Sequence, residues 1–234
     1  MLGFFCYPYP EETLYSAYAR YAKLVAYPSR LKLTQELTGS RNPVQIGQLS
    51  GRLQHLVDAL PPGFKLSVDF LINHHTLLPI YEKFWRARRA IRVRDAMASA
   101  GGIKIESAAG LHATHIPLPR WFRFCPVCVN QDKDLYGECY WRRLHQMTGV
   151  EVCPTHAVFL EESRVPTRHC GRWAAFITAE DAITQSTPRS CGDHVRMHQI
   201  LLQLAQDMEV CLKPQEDLLS YAAQGDNISI ASLP

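Results

Sequence analysis

Residues 125–156 read CPVCVNQDKDLYGECYWRRLHQMTGVEVCPTH. The stretch opens with Cys125-x-x-Cys128 and closes with Cys153-x-x-His156. Each two-residue gap permits a tight turn that aims both ligand atoms at one ion. Zinc favours four such soft or borderline ligands in a tetrahedron. Pro126 and Pro154 stiffen the two turns. The pairing predicts a zinc ion held by Cys125, Cys128, Cys153 and His156. Four protein ligands leave no open coordination position, so the site is expected to be structural rather than catalytic. The opposing reading takes these residues as ordinary buried thiols and a surface histidine.

Working outward, the chain of 234 residues suits one large domain or two small ones, and 47% apolar residues argue against disorder. With 25 basic and 22 acidic side chains the net charge is +3, too mild to imply a nucleic-acid partner by itself. No apolar run approaches the roughly 18 residues of a membrane span, so no membrane partner is expected. The opening MLGFFCYPYPEE has neither a basic region nor a small-residue cleavage site, and does not read as a signal peptide. An intracellular, cytoplasmic chain follows. Its 8 cysteines are then thiols or metal ligands rather than disulfides.

Helical spacing dominates the first hundred residues. Leu14, Tyr18, Tyr21, Ala22 and Val25 share a helical face, with Pro10 suited to the first turn. Tyr27-Pro28 ends that helix. Leu31 to Leu37 predicts a short helix stopped at Gly39. Ile46, Leu49, Leu53, Leu56, Val57 and Leu60 form an amphipathic stripe closed by Pro61-Pro62-Gly63. Ser67 reads as an N-cap for a helix through Leu71 and Ile72. A further helix covers Phe84 to Ala98 and ends at Gly101-Gly102. From about 103 to 193 the pattern is irregular, and a metal would supply the missing stability. Helical spacing returns with Met197, Ile200, Leu201, Leu204 and Met208, and the last dozen residues read as a frayed or truncated end. The expected division is a helical part over 1–102, a zinc-binding module over 103–193 and a C-terminal helical segment over 194–234.

Other clusters carry weaker chemistry. His169, Cys170, Cys191 and His194 form a second candidate metal set, without the knuckle spacing of the first. Lys83, Arg86, Arg88, Arg89, Arg92 and Arg94 lie in a stretch with no interior acid, a surface that attracts phosphates or else a solvated or protein-contacting face. Arg142 and Arg143, between the knuckles, are further nucleic-acid candidates, while Phe124, Trp141 and Leu144 are expected to pack around the metal. Phe4, Phe5, Tyr7 and Tyr9 crowd aromatic surface near the start and are candidate partner anchors. His74 and His75 point about 100° apart on a helix, which favours a core or capping role over a shared ion. The chain contains no G-x-x-x-x-G-K-[ST], G-x-S-x-G, H-E-x-x-H or G-x-G-x-x-G, and nothing nominates a nucleophile with its base. A binding protein is expected, not an enzyme.

Several segments together resemble one family. They are YPYPEETLYSAYARY, NHHTLLPIYEKFW and RFCPVCVNQDKDLYGECYWRRLHQMTGVEVCPTH. Their order and spacing resemble the TniQ/TnsD family of transposition target-selection proteins, over Pro8 to Tyr21, His75 to Tyr81, Arg123 to Cys128 and Val152 to His156. The resemblance implies a bacterial adaptor that recruits a TnsC-type AAA+ ATPase to a target-bound complex, such as the CRISPR effector Cascade. Its alternative is the N-terminal part of a TnsD-like attachment-site DNA-binding protein, with the Leu31–Leu60 helices as a helix-turn-helix. A homodimer is a further expectation. One departure is Ala157, where the family often has Gly. The expected fold is mainly α with small β: a helical, helix-turn-helix-like N-terminal part and a zinc-binding module.

Overall fold

The computed structural model describes residues 1–26, 29–40, 48–99, 105–110, 118–167, 176–184, 186–189 and 195–213. Helices supply most of the regular structure, beside one two-stranded sheet. The first helix, α1 (Leu14–Val25), starts where Thr13 Oγ1 accepts a hydrogen bond from the Ser16 amide at 3.2 Å. That oxygen satisfies one of the free amides of the first turn. Pro10 therefore lies before the cap rather than inside the helix, and its carbonyl accepts from the Tyr140 hydroxyl. Every residue from Leu14 to Tyr21 is buried, so the first two turns of α1 are covered on all sides, while Lys23 and Leu24 in its last turn are exposed.

Short helices surround it. α2 (Arg30–Thr38) is capped by Ser29 and ends at Gly39, whose φ of 69° suits glycine. A Cβ at Gly39 would also meet the His55 ring at 2.9 Å. α3 (Leu53–Ala59) is shorter than its expected stripe: Leu49 is buried in non-helical chain, and Ile46 lies outside the described residues. Residues 39–52 separate α2 from α3, whereas a compact helix-turn-helix has a turn of about 3–4 residues. α4 (Val68–His75) begins at Ser67, as expected, with the Phe70 amide donating to its hydroxyl. After α5 (Leu78–Glu82), a turn through Phe84 and Trp85 stacks Trp85 on Tyr81 and delays α6 to Ala87–Ala98. α7 (Ile105–Ala108) follows; Gly101-Gly102 lies outside the described residues.

The second half hangs on a small sheet. β1 (Trp121–Phe124) pairs antiparallel with β2 (Glu161–Pro166), with Arg123 opposite Glu162 and an irregularity between Trp121 and Arg123. α8 (Pro126–Tyr136) leaves β1 directly, α9 (Ala179–Ala182) is one turn, and α10 (Val195–Leu212) closes the described chain. On α10, His198, Ala205 and Leu212 are buried, while Met197 and Ile200 of the expected stripe face out. One apolar cluster joins α1 to β1, β2 and α9, with Tyr15 stacked on Phe122 at 4.6 Å and Phe122 against Trp141 at 5.1 Å. The other joins Leu77 and Ile80 to Cys125, Cys128, Leu144, Met147, Val150 and Cys153, and to Ala205 and Leu212 of α10. Side chains from both sides of residues 102 and 193 thus share cores.

The segment Tyr9–Thr13 is the seam between the halves. Glu11 has a left-handed φ of 60°, a conformation that costs an ordinary residue about 1 kcal/mol. Its carboxylate meets Arg143 through two hydrogen bonds, 2.7 and 2.9 Å long. The third arm of that guanidinium donates to the carbonyls of Asn73 and Thr76, at 2.5 and 3.0 Å, within and just after the end of α4. Glu12 pairs with Arg20 at 2.9 Å, and Arg20 also reaches Glu138 at 2.8 Å while lying over the Tyr9 ring. Backbone bonds run the same way: Arg143 N to Glu11 O at 2.8 Å and Thr13 N to Trp141 O at 2.9 Å. His75 bonds the Glu12 carbonyl through Nδ1 at 2.8 Å, and burial pushes its pKa down to about 4. It is a neutral core histidine at pH 7. Substituting Arg143→Met strands the Glu11 carboxylate and two carbonyls. The expected loss is about 2–4 kcal/mol in urea unfolding, with near-wild-type stability as the contrary result.

Candidate metal centre and its surroundings

The two knuckles are built in different ways. Cys125 is the N-cap of α8: its Sγ accepts from the Cys128 amide at 3.4 Å, and Pro126 takes the first helical position. Proline fits there because that amide has no intrahelical partner. Cys128 sits in the first turn, so both sulfurs face the positive end of the helix, which favours thiolates. The second knuckle is a tight turn closed by Cys153 N to Val158 O and Ala157 N to Cys153 O, both 2.9 Å, with Val152 and Phe159 bridged beneath it. Ala157 holds this turn with a φ of 52°. The family's frequent glycine at that position now has a physical reason, since left-handed backbone suits a residue without Cβ.

Folding brings all four predicted ligands together. Their ligand atoms lie within 4.8 Å of one another, and this is the one such group of three or more among the described residues. His156 Nδ1 is 3.5 Å from Cys125 Sγ, 3.3 Å from Cys128 Sγ and 3.5 Å from Cys153 Sγ; Cys128 and Cys153 sulfurs are 3.7 Å apart. A tetrahedral ion with sulfur at about 2.3 Å and nitrogen at about 2.0–2.1 Å needs edges of roughly 3.8 and 3.6 Å. The residues fit such an ion. Three thiols this close cannot all ionise unaided. Contacts with Cys125 and Cys128 hold the Cys153 sulfur well below the usual thiol range, while Cys128 is pushed up by sharing its proton with Cys125 and Cys153. A cation replaces those protons.

The residues that support the cage carry no motif in the sequence. Gln146 brackets Arg123, accepting from its amide and donating to its carbonyl, both at 2.9 Å, and so fixes β1 two residues before Cys125. The buried Arg123 side chain donates to Met147 O at 2.6 Å and pairs with Glu151 at 2.9 Å. His198 of α10 bonds the Ala157 carbonyl at 2.7 Å, and its ring meets Phe159 edge-on. His145 is buried beside Cys153 and favours its thiolate. A cleft of about 160 Å³ beside the cage is lined by Cys128 and Cys153 together with Arg142, His145 and Glu209. Leu144 packs against the cage, whereas Trp141 and Phe124 join the α1 cluster instead.

The other predicted residues divide by burial. His169, Cys170, Cys191 and His194 lie outside the described residues. Arg143 is a core residue, 1% exposed, and cannot meet a nucleic acid without dismantling the seam. Arg142 is committed to the buried Asp132 at 2.5 Å. Arg94 is taken by Glu82 and Asp69, and Arg89 by the carbonyls of Ala108 and Ala109. Arg86, Arg88 and Arg92 are exposed. Phe5 is buried and Tyr9 is packed against Tyr136 and Tyr140, while Phe4 and Tyr7 are 46% and 53% exposed.

A mainly helical protein organised around a Cys3His cage that could hold a metal ion is the class these features define. The chain belongs to the TniQ family: the model of that family, described as TniQ, matches residues 4–160. It is 30% identical over 167 residues to the transposon Tn7 transposition protein TnsD of Escherichia coli, across 69% of this chain and 32% of that protein. The chain therefore spans about a third of the length of that relative. Among the described residues no helix is long and apolar enough to cross a membrane.

Two substitutions test the cage. Cys128→Ser is expected to reduce bound metal per chain severely and to lower the melting temperature and solubility, because structural ions supply on the order of 10 kcal/mol in small modules. Elemental analysis with thermal denaturation reads both, and full occupancy with unchanged melting would refute the assignment. Ala157→Gly is expected to stabilise the protein by about 0.5–1 kcal/mol in urea, by relieving the left-handed turn. A destabilised variant would show that the turn is not strained.

Proposed function

We propose that this protein is a target-selection adaptor for DNA transposition, with zinc in the Cys125–Cys128–Cys153–His156 cage as a structural ion. The observation that carries this reading is the family match over residues 4–160, which takes in both knuckles. Closed Cys3His coordination favours zinc, which is borderline soft and has no geometric demand of its own. With four protein ligands the ion would hold the scaffold rigid and take no part in chemistry, and the protein acts by recognition rather than as an enzyme. Its partners are a TnsC-type AAA+ ATPase and a target-bound complex, either a CRISPR effector such as Cascade or target DNA, in the bacterial cytoplasm.

Phe4 and Tyr7 are the ATPase anchors in this reading. Both rings remain exposed and rest on other rings: Phe4 lies against the buried Tyr21 and Tyr7 against the half-buried Phe64. Rings supported from below form rigid anchors for a partner pocket. Phe5 and Tyr9 serve the fold instead, so deleting residues 1–9 would damage the core. The clean test is Phe4→Ser with Tyr7→Ser. Retention of a purified TnsC-type ATPase with nucleotide is expected to fall at least tenfold, with metal content and melting unchanged. Unaltered retention overturns the anchor assignment. The similarity to TnsD favours one second reading, direct binding of an attachment site. Sequence-specific binding to bare duplex, without a guide complex, selects it.

A further inference from the structure

The basic stretch read in the sequence is split by the fold into two sets of cations. One set is internal. Arg94 takes up Glu82 at 2.5 Å, Asp69 at 3.4 Å and the Asn73 side chain at 2.7 Å. Arg89 lies over the Trp85 ring and closes the end of α7 through the carbonyls of Ala108 and Ala109. These contacts consume the acids that would otherwise neutralise the region. The other set, Lys83, Arg86, Arg88 and Arg92, is exposed, and among the described residues none of the four makes an ion pair.

The exposed set has a direction. Arg88 and Arg92 stand one turn apart on the outer side of α6, about 6 Å along the axis, and the exposed Lys83 and Arg86 precede the helix in the chain. Asp95, exposed at the far end of that stripe, is its one acid. Val93 and Met97, on the other side of α6, are buried, so the helix cannot turn these cations elsewhere. A set of exposed cations without ion pairs among the described residues matches a polyanion with closely spaced charges, and duplex DNA carries one per roughly 1.7 Å of axis. Single strands are bound by exposed aromatic platforms. Here Trp85 is turned in and stacked on Tyr81, which leaves Phe84 as a lone exposed ring.

We propose that this face of α6 rests on the phosphodiester backbone of duplex DNA, through Lys83, Arg86, Arg88 and Arg92. The contact is independent of sequence. It deepens the target-selection reading, on which it rests, by giving the adaptor a grip on the DNA beside the target that neither the metal cage nor the aromatic anchors supply.

The experiment uses the full chain, the variant Arg86→Gln, Arg88→Gln, Arg92→Gln, and labelled duplexes of about 30 base pairs followed by fluorescence anisotropy from about 50 to 200 mM salt. The expected result is a slope of log K against log salt shallower by about 2–3, and binding at least tenfold weaker at low salt, equally for unrelated sequences. Melting temperature and metal content stay unchanged, since the three side chains support nothing in the fold. A wild-type chain that binds no duplex overturns the proposal, as does an unchanged slope or a loss confined to one sequence. So does a variant that keeps duplex binding and instead loses a hairpin RNA or an acidic protein partner. ATPase retention, measured in parallel, reports on the adaptor reading separately: the DNA contact can fail while retention persists, and the reverse.

Discussion

The guanidinium of Arg143 is the joint on which both halves of this protein turn. It is buried, yet four of its hydrogen bonds go to groups far away in sequence: two to the Glu11 carboxylate and one each to the carbonyls of Asn73 and Thr76. Only a planar, permanently charged fork can satisfy acceptors on two sides at once. The cost of burying it is offset by those bonds and by the part-exposed Glu11 carboxylate, which keeps some solvent contact. Around this joint the Glu12–Arg20–Glu138 chain and the bonds to Trp141 repeat the same connection. The N-terminal segment is therefore held as part of the metal module, and the left-handed turn at Glu11 is a strain those contacts sustain.

A second constraint follows from how little apolar material lies between the knuckles. The cage takes the place of a larger core there: three sulfurs and an imidazole are gathered where Leu144, Met147, Val150 and Leu160 provide a modest apolar surround. Its geometry is prepared from both sides. The α8 N-terminus presets Cys125 and Cys128, while Gln146, Arg123 and the α10 residue His198 brace the strand and turn that carry the rest. Such outer contacts orient ligands and are as much a part of a metal site as the ligands themselves.

Charge is divided by the same logic. Arginines near the seam and at the ends of α4–α7 are spent on internal acceptors, which is why the mild net charge of +3 conceals an unbalanced face on α6. The exposed cations and rings are those left over once the fold has taken what it needs. That residue of unused side chains, more than any one motif, distinguishes Arg88 and Arg92 from Arg89 and Arg94.

The sequence alone marked the four residues that the fold gathers into the cage, because two-residue knuckles constrain geometry locally, and it marked α2 and α4, whose caps at Ser29, Gly39 and Ser67 are local chemistry. The family resemblance was likewise written in the order of short motifs. Helix starts shifted where a turn or cap competed, as at Thr13 and Arg86, since periodicity marks a buried face and not the residue where hydrogen bonding begins. Only the tertiary structure decided which arginines and aromatics are surface. Arg142 and Arg143 look as basic and accessible in the sequence as Arg86 and Arg88, and Phe5 looks like Phe4. Their fates differ because burial depends on partners such as Asp132, Glu11 and Tyr18, brought close by folding from distant parts of the chain or from another element.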